Sequence, residues 1–284
     1  MANPKRVGVL IFLVITFSLT YLVEYWLYLA GGLKTWFALP VLIGVMFIPT
    51  VSAVLTVKLV EKGSLKGYGV RVGVKKYYVY GYFLPLLFVC FSLSLVWLFH
   101  TASLTLKGFK ELIETAPVPE EYKGVMIPLI VFEIAITPFI NAIPAFGEEY
   151  GWRGYLLTEF LRYGLLKAIL ATGVIWGVWH APLILMGYNY PHHPDIVGMS
   201  FFTVWCVLWG VLLAWLRIKS GSVFPATLCH GAINAHVGLG TLIAPSEDEL
   251  YTAPFGWPAL VALAVMAFAA YASLVRGEHR QGVS

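Results

Sequence analysis

Glu148, Glu149 and Arg153 stand close together in FGEEYGWRGYL, residues 146–156, and His180, His230 and Asn234 follow in WGVWHAP and LCHGAINAH. A carboxylate beside an imidazole can hold and deprotonate a water molecule. A second imidazole and an amide N–H are donors of the kind that stabilise the oxyanion of a tetrahedral intermediate. Together they point to hydrolysis of an amide bond. Glu148, His180 and His230 could alternatively ligate zinc with an open position for water. The H-E-x-x-H helix of common zinc proteases is absent from the chain, so a glutamate mechanism without a cofactor is the first expectation.

The two acids differ in their local company. Glu149 and Arg153 are spaced i, i+4 and can neutralise each other on one helical face; the plain reading of that pair is a structural ion pair. Glu148 points about 100° away around the helix and has no basic residue at i+3 or i+4. It must find its partners on other elements.

Those elements are set by composition. The chain has 284 residues, 59% hydrophobic and only 12% charged, with a mean hydropathy of +0.79, whereas a soluble domain is usually about a quarter charged. Apolar blocks about 20 residues long are what a helix needs to cross a hydrocarbon core of roughly 30 Å. The alternation of a membrane barrel is not present. The expected fold is all-α, a polytopic membrane bundle of about eight transmembrane helices, near 7–30, 36–58, 77–100, 126–162, 165–187, 199–216, 222–243 and 257–275. It forms one integral-membrane domain, residues 1–284, with the motif core at about 126–243. The first block lacks a small-residue cleavage site and reads as a retained span. Cys90, Cys206 and Cys229 lie in apolar blocks and read as core residues, with neither disulfides nor a zinc-cysteine site expected. The net charge of +4 gives no reason to expect nucleic acid.

Alternate loops sort the charges. Fifteen of the 19 Lys and Arg residues, from Lys5 to Arg280, or fourteen if Arg153 is intramembrane, fall on the side of the termini, which the positive-inside rule places in the cytoplasm. The expected location is the cell membrane, with both termini cytoplasmic. The fourth block is too long for one straight crossing, and Pro138 and Pro144 are the expected break points. Counted from the same face, Glu148 lies about 21 Å deep, His180 about 20 Å, and His230 with Asn234 about 12–18 Å. An ionised group near the bilayer centre costs at least about 2.5–3.5 kcal/mol, so one layer of such groups implies a shared polar cavity.

Three motifs in order resemble a known family, the type II CAAX prenyl endopeptidases and their prokaryotic relatives among the CAAX proteases and bacteriocin-processing enzymes. EExxxR is present as Glu148 to Arg153, the Fxxx-His motif as Trp176 to His180 with Trp in place of Phe, and HxxxN as His230 to Asn234. The resemblance implies an eight-helix intramembrane bundle whose cavity opens to the cytoplasmic side, and a glutamate-dependent protease. It implies that Glu148 is the general base and His180 positions the water. His230 and Asn234 would form the oxyanion site, Glu149 and Arg153 would shape it, and Trp176 would pack beneath His180. The implied partners are the lipid bilayer and a prenylated or otherwise membrane-anchored peptide, cut near its C-terminus. Some prokaryotic relatives are linked to bacteriocin immunity or act as membrane regulators, so a non-catalytic immunity or scaffold protein is the rival reading. A proton-relay transporter would need paired broken helices in two related halves, and only one broken segment is visible.

Other polar residues attract blander readings. Glu24 reads as interfacial and Glu133 as structural, His192, His193 and Asp195 as an incidental cluster in an outer loop, and His236 as facing away from Asn234.

Overall fold

A computed structural model describes residues 4–281, with side chains for 5–276, so the Arg280 side chain counted above lies outside the described residues. The described chain is mostly helical, without strands. Six helices are long and apolar enough to cross a membrane: Lys5–Leu29, Ala38–Val60, Lys76–Phe99, Glu120–Tyr163, Ile196–Ser220 and Trp257–Arg276. The two remaining expected spans are shorter helices broken near their ends. The molecule is a multi-pass helical membrane protein.

In chain order, α1 is Pro4–Leu29, α2 Ala38–Val45, α3 Ile48–Leu55, α4 Lys76–Phe99 and α5 Lys107–Thr115. α6, Met126–Glu149, runs on through a π-helical stretch, Tyr150–Leu156, into the short α7, Leu157–Phe160. α8, Leu165–Trp179, and α9, Ala181–Leu185, form one broken span, as do α11, Phe224–His236, and α12, Gly238–Ile243. α10, Ile196–Ser220, and α13, Trp257–Gln281, complete the bundle.

Pro138 and Pro144 do not break the fourth span; both sit inside α6. Proline removes the N–H that would satisfy the carbonyl four residues earlier, and another donor must take its place. For Pro138 that carbonyl is Ile134, and His236 Nε2 approaches it to 2.8 Å. His236 thus ties α11 to α6 at the point where the proline frees an acceptor. The same device serves the α8–α9 break, where Pro182 leaves the Val178 carbonyl without its helical donor and the Tyr21 hydroxyl donates to it at 2.7 Å.

Close helix approach sets the distances around the acids. A Cβ on Gly151 would lie 2.5 Å from the Pro49 side chain, so only glycine lets the π-helical stretch meet α3. A Cβ on Gly231 would lie 2.5 Å from the Ala142 nitrogen, which brings His230 and Asn234 on α11 against α6. At the end of the bundle where α1 begins, Lys5 pairs with Glu61 at 2.9 Å and Glu159 at 2.6 Å. Tyr155 donates to Glu61 at 2.7 Å and Tyr68 to Glu159 at 3.1 Å. This polar knot closes that end.

Three minor expectations change. Glu24 is fully buried rather than interfacial, and neither of its carboxylate oxygens has a hydrogen-bond partner among the described residues. Glu133 is exposed, and so is Cys90, whereas Cys206 and Cys229 are buried.

Candidate active site

Four elements meet at the motif residues. The last turn of α6 supplies Glu148 and Glu149, the π-helical stretch Arg153, the end of α8 Trp176 and His180, and α11 His230 and Asn234. Glu149 Oε1 accepts from Arg153 Nη1 at 2.9 Å and from His230 Nδ1 at 2.9 Å. The Glu149–Arg153 pair is sealed from solvent, with side chains 0% and 1% exposed. Removing one partner of such a pair typically costs about 3–5 kcal/mol, because the other charge stays buried and alone.

Glu148 is held differently. Its Oε2 accepts from the Trp176 indole N–H at 2.8 Å, and its Oε1 stands 4.0 Å from His230 Nε2. That gap is too long for a direct hydrogen bond, yet a single oxygen atom can bridge it with two bonds of about 2.8 Å. His230 therefore lies between the acids, Nδ1 on Glu149 and Nε2 towards Glu148. A carboxylate paired with arginine only accepts, so His230 carries a proton on Nδ1.

His180 owes its orientation to the helix break. Its backbone N–H bonds to the Gly177 carbonyl at 3.1 Å instead of continuing the α-helical ladder. The Trp176 carbonyl so released receives His180 Nδ1 at 2.8 Å. A carbonyl can only accept, which places the proton on Nδ1 and leaves the Nε2 lone pair free. Trp179, Phe202 and Trp176 surround the imidazole ring.

Glu148, His180, His230 and Asn234 all line one cavity of about 1070 Å³. Loop 186–195 between α9 and α10 and loop 244–256 between α12 and α13 line the end of the cavity that we take as its mouth. Leu39 and Ile43 of α2 and Ile140 and Ile143 of α6 line the cavity and are exposed, so its wall along these helices is apolar and accessible. The mouth lies at the end of the bundle opposite the Lys5 knot. The two orientation expectations therefore conflict: termini in the cytoplasm put the mouth on the other face of the membrane, and a mouth in the cytoplasm puts the termini outside.

Trp176 does more than pack beneath His180. Besides its hydrogen bond to Glu148, its ring lies 4.2 Å from the Arg153 guanidinium carbon, a cation–π contact. The signal was present in the sequence, since the indole N–H is a donor that the usual Phe of this motif lacks. As zinc ligands, Glu148, His180 and His230 do not offer atoms that all lie within 4.8 Å of one another. A metal there would need the side chains to close in, and no step is derived through one. The His192, His193 and Asp195 cluster is also divided: Asp195 caps α10 by accepting from Val197 N at 2.7 Å, while the histidines turn to Glu249 and Asp248.

Comparison with known proteins follows the same residues. Residues 129–236 match the family described as type II CAAX prenyl endopeptidase Rce1-like. A protein named CAAX prenyl protease 2 from Methanococcus maripaludis is 33% identical over 116 residues, covering 39% of this chain. The aligned stretch spans 41% of that relative, less than half its length. The helices that bring Glu148, Trp176, His180, His230 and Asn234 to one cavity are thus the part of the chain, residues 129–236, that is similar to the Rce1-like type II CAAX prenyl endopeptidases.

Proposed function

We propose that this protein is an intramembrane endopeptidase that cuts a membrane-associated peptide with a water activated by Glu148. The observation that carries the reading is the Glu148 carboxylate at the cavity wall, fixed on one oxygen by Trp176 while the other faces His230 Nε2 across 4.0 Å. A scaffold has no use for an acid, an imidazole and an amide facing one cavity at such a depth.

Each residue then has a task. Glu148 takes a proton from the attacking water as the water oxygen bonds to the scissile carbonyl carbon. The free Nε2 of His180 holds that water. His230, when protonated on both nitrogens, donates Nε2–H to the developing oxyanion, and the Asn234 amide donates a second bond. The proton on Glu148 passes to the leaving amine as the C–N bond breaks. Glu149 and Arg153 hold the His230 ring by Nδ1 and keep the local charge balanced.

Substrate class follows from orientation. The Lys and Arg distribution supports a reading with both termini in the cytoplasm. The cavity mouth then faces the other side, and the exposed apolar residues of α2 and α6 that line the cavity suit a chain entering from the lipid. This favours a C-terminal or juxtamembrane segment of a membrane-anchored peptide. A prenylated CAAX tail, which lies at the cytoplasmic leaflet, fits only the reversed orientation. The test is cleavage of two quenched fluorescent peptides, one prenylated with a CAAX end and one anchored by an acyl chain, by purified wild-type protein and by Glu148→Ala. Turnover of either peptide by wild type and not by Glu148→Ala supports the reading; turnover equal in both proteins sinks it.

A further inference from the structure

Four side chains able to ligate a metal meet above the cavity, where the 186–195 loop crosses the 244–256 loop. His193 Nε2 lies 3.1 Å from Asp248 Oδ1, and His192 Nδ1 lies 2.6 Å from Glu249 Oε1. His193, Asp248 and Glu249 offer one ligand atom each, all within 4.8 Å of one another, and form the only such group among the described residues. They are partly buried: the side chains of His193 and Glu249 are 24% and 14% exposed.

Two separate His–carboxylate hydrogen bonds would account for Asp248 Oδ1 and Glu249 Oε1. They leave Glu249 Oε2 unexplained, since it is buried and has no hydrogen-bond partner among the described residues. Nor does a lysine or arginine pair with either acid; their only ionic partners among the described residues are the two histidines. A cation between the loops would supply what Oε2 lacks.

The spacing suits a small transition-metal ion. Nitrogen and oxygen ligands about 2.0–2.2 Å from a tetrahedral zinc lie roughly 3.3 Å from one another. The His193–Asp248 pair already has nearly this separation, and the third ligand atom is close enough to reach it with side-chain rotation. Imidazole nitrogen disfavours calcium and magnesium, which take oxygen ligands. The loops are also held independently of any metal. The Tyr190 hydroxyl donates to the Phe255 carbonyl at 2.9 Å, Asp195 caps α10, and Asp248 accepts from Leu250 N at 2.8 Å. A metal would therefore meet ligands already in place.

We propose that His193, Asp248 and Glu249 bind a zinc-class divalent cation that fastens the two loops together over the cavity mouth, with His192 orienting Glu249. His192 and Glu249 themselves line the cavity, so the ion would set the width of its entrance. The site is separate from Glu148, His180 and His230 and does not rest on the peptidase reading.

The experiment uses the full chain, purified in detergent and stripped with chelator, then titrated with zinc chloride. Bound zinc is measured after desalting, together with the thermal unfolding midpoint, and calcium and magnesium chloride serve as comparisons. The expected result is one zinc per chain and a higher midpoint with zinc alone. Glu148→Ala should keep the zinc. His193→Ala and Asp248→Asn should each weaken zinc binding at least about tenfold, the lower end of the cost of losing even an outer-shell partner. Asp248→Asn retains an acceptor for Leu250 N, so its loss of zinc cannot be assigned to an unfolded turn. Absence of zinc binding in wild type, binding that survives both loop substitutions, or binding lost in Glu148→Ala instead would each overturn the proposal.

Discussion

Replacing Glu149 by Gln and Glu148 by Gln should damage the protein in opposite ways, although the residues are adjacent. Glu149 neutralises a sealed Arg153 and accepts from His230, both at 2.9 Å. Glu149→Gln leaves the guanidinium buried without a counter-charge, a loss on the order of 3–5 kcal/mol. Glu148 has one hydrogen bond, from Trp176, and a 4.0 Å approach to His230. Gln at that position still offers an oxygen to the indole, so Glu148→Gln should cost about 1 kcal/mol or less. Equilibrium unfolding in mixed micelles, with increasing denaturing detergent, measures both against wild type. Glu149→Gln should unfold at clearly lower denaturant, and Glu148→Gln close to wild type. Equal stabilities, or the reverse order, would refute the division between a structural and a working acid.

Three further outcomes follow from single contacts. Trp176→Phe keeps a ring beneath Arg153 but removes the donor to Glu148, so unfolding stability should fall by about 1.5–3 kcal/mol, the usual worth of a hydrogen bond to a charged group; an unchanged midpoint would show that the indole bond contributes nothing. His236→Ala should cost about 1–3 kcal/mol, because the Ile134 carbonyl freed by Pro138 loses its donor, and a neutral result in the same assay would argue against that repair. For orientation, single cysteines placed at Asn189 and Gly63 in a variant lacking Cys90 are labelled in intact cells with an impermeant maleimide. Asn189→Cys should react and Gly63→Cys should not; the opposite pattern would put the cavity mouth in the cytoplasm.

Much of the bundle is legible in the sequence because hydrophobic length is a local property. Each of the eight apolar blocks becomes a helix or a broken helix, and the Glu149–Arg153 pair follows from its i, i+4 spacing. What local reading misses is supplied by other helices. Pro138 reads as a break because its helix loses a donor, but the replacement, His236, comes from about 100 residues away. Glu149 reads as wholly occupied by Arg153, yet it also accepts from His230 on α11. His192 and His193 read as incidental because their carboxylates, Glu249 and Asp248, lie in another loop. Glu24 reads as interfacial, and only packing shows it to be buried.

The central claim is that Glu148 activates the water, and the most direct measurement is single-turnover cleavage of the membrane-anchored fluorescent peptide by wild type, Glu148→Gln and Glu148→Ala at equal folded concentration. Loss of a general base should lower the rate by about 10²–10⁴-fold in both variants while Glu148→Gln remains folded. Cleavage by Glu148→Gln within a few-fold of wild type would contradict the assignment.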